Sequence, residues 1–273
     1  MSDYIYRESR FVKVYTLLEL IFHSAVRSVR KSHGHALIGL IINVLQTVLI
    51  VAVFYGFMLF MGADHSEIRG DFMLYIMTGV FLYMCHVKTV GAVSGAEGPT
   101  SAMMKHAPMN TIVSIGAAAL GELYIQILSM IVVLFFYHAI WQPISIYDPL
   151  GALLMFLLTW FSGVALGTIF LAIRPWAPGV AAILTQTYSR LNMFGSGKMF
   201  VANGLPGFLL PLFTWNPLFH IIDQARGFTF LNYRPYYTDP WYPLYITCGI
   251  MLVGLMGEFY TRRQASISWD AKN

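Results

Sequence analysis

Gly195-Ser-Gly-Lys198 is the stretch of this chain that comes nearest to a chemical motif, because it resembles a phosphate-binding loop. That loop needs a further glycine ahead of the Gly-Lys pair, with four residues between, and a Ser or Thr after it. Those positions hold Asn192 and Met199, so nucleotide binding is not expected here. His33 and His35 alternate as metal ligands can, but no third ligand follows nearby, and a flexible turn is the better reading. Neither an H-E-x-x-H zinc helix nor a G-x-S-x-G nucleophile turn occurs. A Ser94–His138 pair would have its members at opposite faces of a bilayer. No catalytic or metal-binding residue is assigned on these grounds. One polar cluster remains: Gln186, Tyr188, Arg190, Asn192, Phe194 and Lys198 share a single apolar stretch. Arginine at the centre of a membrane helix costs several kcal/mol, so Arg190 has to face protein or a watery path. An ion pair with Glu122 is the alternative to a path-lining role.

The elements that must position this cluster are membrane spans. The chain of 273 residues is 57% hydrophobic and only 11% charged, where soluble domains carry about a quarter charged residues. Its mean hydropathy is +0.63. A hydrocarbon core about 30 Å thick takes roughly 20 apolar residues as a helix. Six runs qualify, beginning near Ala36, Phe72, Thr111, Leu150, Gly179 and Trp241. The expected fold is therefore an all-α polytopic membrane protein with six transmembrane helices, and the fifth covers Gly179 to about Met199.

Charge sets the orientation. With the N-terminus in the cytoplasm, that side holds Arg7, Arg10, Lys13, Arg27, Arg30, Lys31, Lys105, Arg174, Arg262, Arg263 and Lys272. The other side holds only Arg69, Lys198, Arg226 and Arg234, as the positive-inside rule requires. Both termini are expected in the cytoplasm. The basic residues flank spans instead of gathering on one face, so the pI near 9.0 does not point to nucleic acid. Met1 to Lys13 is charged and polar, unlike a cleavable signal. Cys85 and Cys248 fall inside spans and read as small buried hydrophobes.

Three further segments have a legible design. Residues 1–35 carry an amphipathic helix in which Phe11, Tyr15, Leu18, Phe22, Val26 and Val29 share a face. It is expected to lie in the membrane surface, with Arg27, Arg30 and Lys31 toward anionic headgroups. Residues 36–260 form the six-span domain, and 261–273 form a tail. The loop 95–110 holds a short helix bounded by Pro99 and Pro108, with flexible apolar side chains at Met103 and Met104. From the residues alone, a docking surface and a plain connecting loop stand equal there. The segment 200–233 holds two apolar pieces, Leu205–Phe213 and Leu218–Phe230, each too short to cross. Two short re-entrant helices on the outer side are expected, the second opened by Asn216 as cap and Pro217 at its first position.

Taken together, these parts resemble the permease subunit of ABC-2 type polysaccharide exporters, the capsule and O-antigen transporter family. The resemblance runs over nearly the whole chain. Its most specific match is Trp215-Asn-Pro-Leu-Phe-His-Ile-Ile-Asp-Gln-Ala-Arg226, similar to the family's Trp-Asn-Pro-Leu-x-His followed by an apolar pair, an acid and Arg. At the entrance to the first span the family often has Leu-Gly-x-x-Trp and then Pro, where this chain reads His35-Ala-Leu-Ile-Gly-Leu-Ile-Ile-Asn43. The resemblance implies two copies around a pore and two separate ATP-binding cassette subunits that bind ATP and Mg. It implies that Met103, Met104, Lys105 and His106 couple to those subunits. It also implies an outer gate that includes Asn216, Pro217, Phe219, His220, Ile222 and Arg226. Trp160, Tyr188, Arg190, Asn192 and Phe194 are the candidates for the translocation path. The substrate implied is a surface polysaccharide, lipid-linked and, from Arg190, acidic; an envelope export adaptor is carried as a further partner. The chain itself is expected to hold no cofactor and to catalyse nothing. A membrane enzyme acting on lipid-linked sugars is the alternative, and a channel or passive scaffold comes third.

Overall fold

The computed structural model describes residues 15, 16, 18–26, 36–60, 68, 70–98 and 110–270. Every regular element among them is helical: α1 (18–26), α2 (Ala36–Phe60), α3 (Phe72–Ser94), α4 (Thr111–Ile140), α5 (Pro149–Ile173), α6 (Pro178–Gly195), α7 (Pro217–Thr229) and α8 (Trp241–Asp270). Five of them, α2, α3, α4, α5 and α8, are long and apolar enough to cross a membrane. The expected coupling residues Met103, Met104, Lys105 and His106 lie outside the described residues, as do the surface cations Arg27, Arg30 and Lys31.

Side-chain caps set the helix starts. The Asp71 carboxylate accepts from the Met73 amide at 2.9 Å, and Asp148 accepts from Leu150 and Gly151 ahead of α5. Asn110 takes the Ile112 amide at the head of α4. Each cap satisfies donors that no helical carbonyl can reach. Pro149, Pro178 and Pro217 stand in first turns, where a missing N–H costs nothing.

Burial divides the bundle into a centre and a rim. In the most apolar stretches, 78% of α3 and 67% of α5 are buried, against 28% of α2 and 22% each of α4 and α8. The central pair packs closely because α5 offers glycine where α3 comes nearest. A Cβ on Gly163 would lie 2.9 Å from the His86 carbonyl oxygen, and one on Gly167 2.7 Å from Val93 Cβ. The rim helices turn Leu49, Val53, Ile131, Phe135, Leu252 and Val253 outward. Apolar side chains exposed in that number are costly in water and suited to lipid.

The structure departs from the sequence expectations in three places. The fifth run stops at Gly195 instead of reaching Met199, because Gly197 takes a left-handed conformation (φ +70°) and turns the chain back into the bundle. Leu205–Phe213 is not an α-helix; it holds only the 3₁₀ turn Leu210–Leu212, and a second such turn, Ala202–Gly204, precedes it. Pro206, Gly207 and Pro211 deny that stretch two amide donors and helical stiffness. At the far end, α8 continues to Asp270, well past the expected boundary at 260. At and just before α1 the expected stripe of Tyr15, Leu18, Phe22 and Val26 is exposed, while Ala25 is buried and Ile21 sits over Gly116 of α4.

Gly167→Val should force α3 and α5 apart and cost about 1–3 kcal/mol by overpacking. A melt of the detergent-solubilised protein measures it, with the lipid-facing Val253→Ala expected to leave the midpoint nearly unchanged.

Candidate functional site

The family-like segment Trp215–Arg226 builds α7, and nearly every polar side chain on that helix holds a piece of non-helical backbone. Asn216 does so twice. Its Oδ1 caps α7 by accepting from Leu218 N at 3.1 Å, while its Nδ2 donates to Asn192 Oδ1 and to the Gly195 carbonyl, at 2.9 and 2.8 Å. One amide thus ties the start of α7 to the end of α6. His220 Nε2 donates to the Thr214 carbonyl, and its Nδ1 accepts from Asp239 N. The Asp223 carboxylate accepts from Ala202 N, the Tyr233 hydroxyl and the Thr238 hydroxyl, at 3.1, 2.6 and 2.8 Å. Burial, with Asp223 beside it, holds the Tyr233 phenol well above its usual range, so it remains a donor.

Arg226 occupies the middle of this arrangement and is fully buried. Its Nη1 donates to the carbonyls of Gly197 and Phe200, at 2.9 and 2.6 Å, and its Nη2 to that of Lys198 at 2.6 Å. The guanidinium also stacks on the Tyr75 ring of α3, 4.3 Å from its centre. The loop that looked like a phosphate cradle therefore has the opposite polarity, with carbonyls converging on a cation. Two glycines make it possible. A Cβ on Gly79 would lie 2.5 Å from the Lys198 carbonyl oxygen, and one on Gly197 would strike the Phe219 ring at 2.4 Å. Gly79 stands about 11 Å along α3 from its first residue. The segment after α6 thus comes down beside the bundle to that depth.

Pulling the backbone down carries Lys198 inside as well. Its ammonium finds no hydrogen-bond partner among the described residues and rests over the rings of Tyr83 and Phe54, at 3.6 and 4.4 Å. Nearer the centre, His86 is buried between helices. Ser162 Oγ donates to the Thr159 carbonyl at 2.7 Å and lies 2.8 Å from His86 Nδ1. On its other side, His86 Nε2 is 2.8 Å from the Tyr188 hydroxyl. With the Ser162 proton committed to a carbonyl, the imidazole donates through Nδ1 and accepts from Tyr188. The chain of bonds joins α3, α5 and α6; it holds no carboxylate to orient a catalytic base, and Ser162 is not poised as a nucleophile.

The five expected path residues separate. Arg190 and Phe194 are exposed on one stripe of α6 with Ile183, Gln186 and Thr187. Tyr188 and Asn192 point inward, one bonded to His86 and the other to Asn216. Trp160 belongs to a different wall, its indole donating to the Ala119 carbonyl of α4 at 2.8 Å. No ion pair joins Arg190 and Glu122 among the described residues, and Glu122 accepts from Gln126 at 2.7 Å. The expected gate residues form one group. Phe219 and Ile222, expected to cover an exit, are 1% and 0% exposed and serve as core of their own chain. Phe219 packs against Phe200 and Phe213.

His86 and Gly79 carry this geometry without having been singled out in the sequence, and Asp223 entered there only as the acid of the Trp215–Arg226 segment. For His86 and Gly79 the only signal was their type, a titratable group or a glycine inside an apolar run. Comparison with protein-family models and with curated proteins finds no match to the chain.

Arg226→Met should leave three carbonyls without their donor at about 1–3 kcal/mol each, enough to lose most of the folded protein. Size-exclusion yield and melting midpoint check this. Arg226→Lys should recover little, since an ammonium lacks the planar fork that reaches three carbonyls.

Proposed function

We propose that this chain is the membrane subunit of an ATP-driven exporter that moves an acidic, lipid-linked surface polysaccharide across the bacterial inner membrane. Two copies would enclose the path, and separate ATP-binding subunits would supply the energy. The observation that carries this reading is the stripe on α6. Gln186, Thr187 and Arg190 are exposed on a helix whose other side meets α3 and α5 through Tyr188 and Ser189 and α7 through Asn192, while much of its remaining apolar surface is open as well. Arg190 has no carboxylate partner among the described residues, and such an arginine is costly against lipid tails and well placed against a second copy or a hydrated path.

Length supports the same reading. α6 has 18 residues and so spans about 27 Å, close to the thickness of a hydrocarbon core. Counting it as a crossing makes six spans, with both termini on the cytoplasmic side and α7 facing the periplasm. The segment 196–213 then enters the outer leaflet without crossing. Coupling falls to the connection between α3 and α4, whose flanks are held by neighbours. Arg174 donates to the Ala96 carbonyl at 3.1 Å, and Arg262 to Asn110 Oδ1 at 3.1 Å. A displacement of that connection would be felt at the turn Arg174–Pro178 that leads into α6. On the outer side, Asn216 is the link by which α7 would follow α6. The acidity of the substrate rests on Arg190, whose cation would offset carboxylates along the path.

An adjacent open reading frame with Walker motifs is expected, and reconstitution with the product of that frame tests the reading. Arg190→Gln should assemble and melt like wild type, yet export an acidic glycan several-fold more slowly and a neutral one at the same rate. Met104→Glu should abolish export while the chain still inserts. ATP-independent product formation from lipid-linked sugar by the purified chain would instead decide for the membrane-enzyme alternative. Asn216→Ala removes a cap worth about 0.5–2 kcal/mol, and raised basal hydrolysis or leak is expected.

A further inference from the structure

A cavity of about 680 Å³ lies between α2, α3 and the end of α6. Its walls are apolar and include Leu49, Val53, Phe57 and Phe194, all of them exposed, so that it opens sideways from the bundle. Cations mark two places on its lining. Lys198 lies where the chain passes Gly79, and Lys88 lies nine residues further along α3, about 14 Å away along the helix. Lys88 donates to Gln46 Oε1. Among the described residues Lys198 has no such partner, and no Asp or Glu lines the cavity.

A buried ammonium without a counter-charge is among the costlier things a fold can contain. The two rings beside Lys198 offset part of that cost through their negative faces. They supply no hydrogen bond. Phosphate would, through a charge-assisted contact. The lysine stem lines the cavity and its four carbons rotate, so the ammonium can leave the rings and reach a group inside. Apolar walls that open toward lipid, together with one uncompensated cation, match a molecule that has a hydrocarbon chain and an anionic head. Inorganic phosphate would gain nothing from the walls, and a neutral lipid would leave Lys198 uncompensated.

We propose that this cavity binds an anionic glycerophospholipid of the surrounding bilayer, one acyl chain along Leu49, Val53 and Phe57 and its phosphate on Lys198. The site needs only that the protein sits in a membrane, so it stands independently of the exporter reading.

The test uses the full chain purified in mild detergent. Native mass spectrometry should find retained phosphatidylglycerol, and added phosphatidylglycerol should raise the melting midpoint by several degrees. Phosphatidylcholine or inorganic phosphate at the same concentration should not. Lys198→Gln should lose both the retained lipid and the shift, and Lys198→Arg should keep them. Val53→Trp fills the cavity without touching the charge; it should displace the lipid even if Lys198→Gln fails to fold. Equal retention in wild type and both disrupting variants would overturn the proposal, as would equal shifts from phosphatidylcholine or phosphate. Cross-linking of Val53→Cys between two copies, with no lipid retained, would assign the cavity to a second copy and overturn it too.

Discussion

The fold turns on one guanidinium surrounded by backbone carbonyls. Where a chain leaves helical geometry inside a packed bundle, its carbonyls lose their helical partners and need others. Arg226 supplies donors to Gly197, Lys198 and Phe200 from a single rigid fork. Asp223, three residues earlier on the same helix, gives the complementary service to an amide and two hydroxyls. A short helix bearing an acid and a base one turn apart can therefore support irregular backbone on both sides of itself.

The rest of the bundle follows from where that helix is seated. α7 packs against α5 and α3, the two most buried long helices, so the irregular segment is braced on the stiffest part of the protein. α6 is held differently. Its polar contacts with the centre run through the Tyr188–His86–Ser162 chain, the Tyr83 hydroxyl donating to the Ser189 carbonyl, and the bonds from Asn216 to Asn192 and Gly195, all of them directional. Hydrogen bonds of this kind fix the rotation of a helix more than they add stability. They explain why Arg190, Gln186 and Thr187 all lie on the open side. The same descent of backbone past Gly79 brings Lys198 inside, so a buried cation is a by-product of how the irregular segment is held.

Much of this was legible from residue types in order. The spans at Ala36, Phe72, Thr111 and Trp241 begin where apolar runs begin, and Asn216-Pro217 announced the start of α7 by cap and fixed φ. Leu205–Phe213 has the apolar composition of a helix, while Pro206 and Pro211 remove donors that a helix needs. The early end of α6 leaves no mark in the sequence, because a glycine inside an apolar run is tolerable unless its φ is positive, as at Gly197. Tyr188 and Trp160 looked equivalent as aromatic path surfaces, yet one faces His86 and the other faces α4.

By itself, the sequence determined the solvent. Long apolar runs with so few charges have nowhere stable to be except a bilayer, and that needs no tertiary information because hydration and transfer free energies add along the chain. It also determined where helices start, since a cap and the amide it serves are two or three residues apart. Tertiary structure alone decided which polar groups are occupied and which are open. Arg226 and Arg190 have the same side chain in similar apolar surroundings, yet one is spent on carbonyls and the other faces outward. Their difference comes from partners about 30 residues away for Arg226 (Lys198 lies 28 away), and from the rotation of α6 for Arg190. Separations of that kind are set by packing, and packing is not additive along a chain.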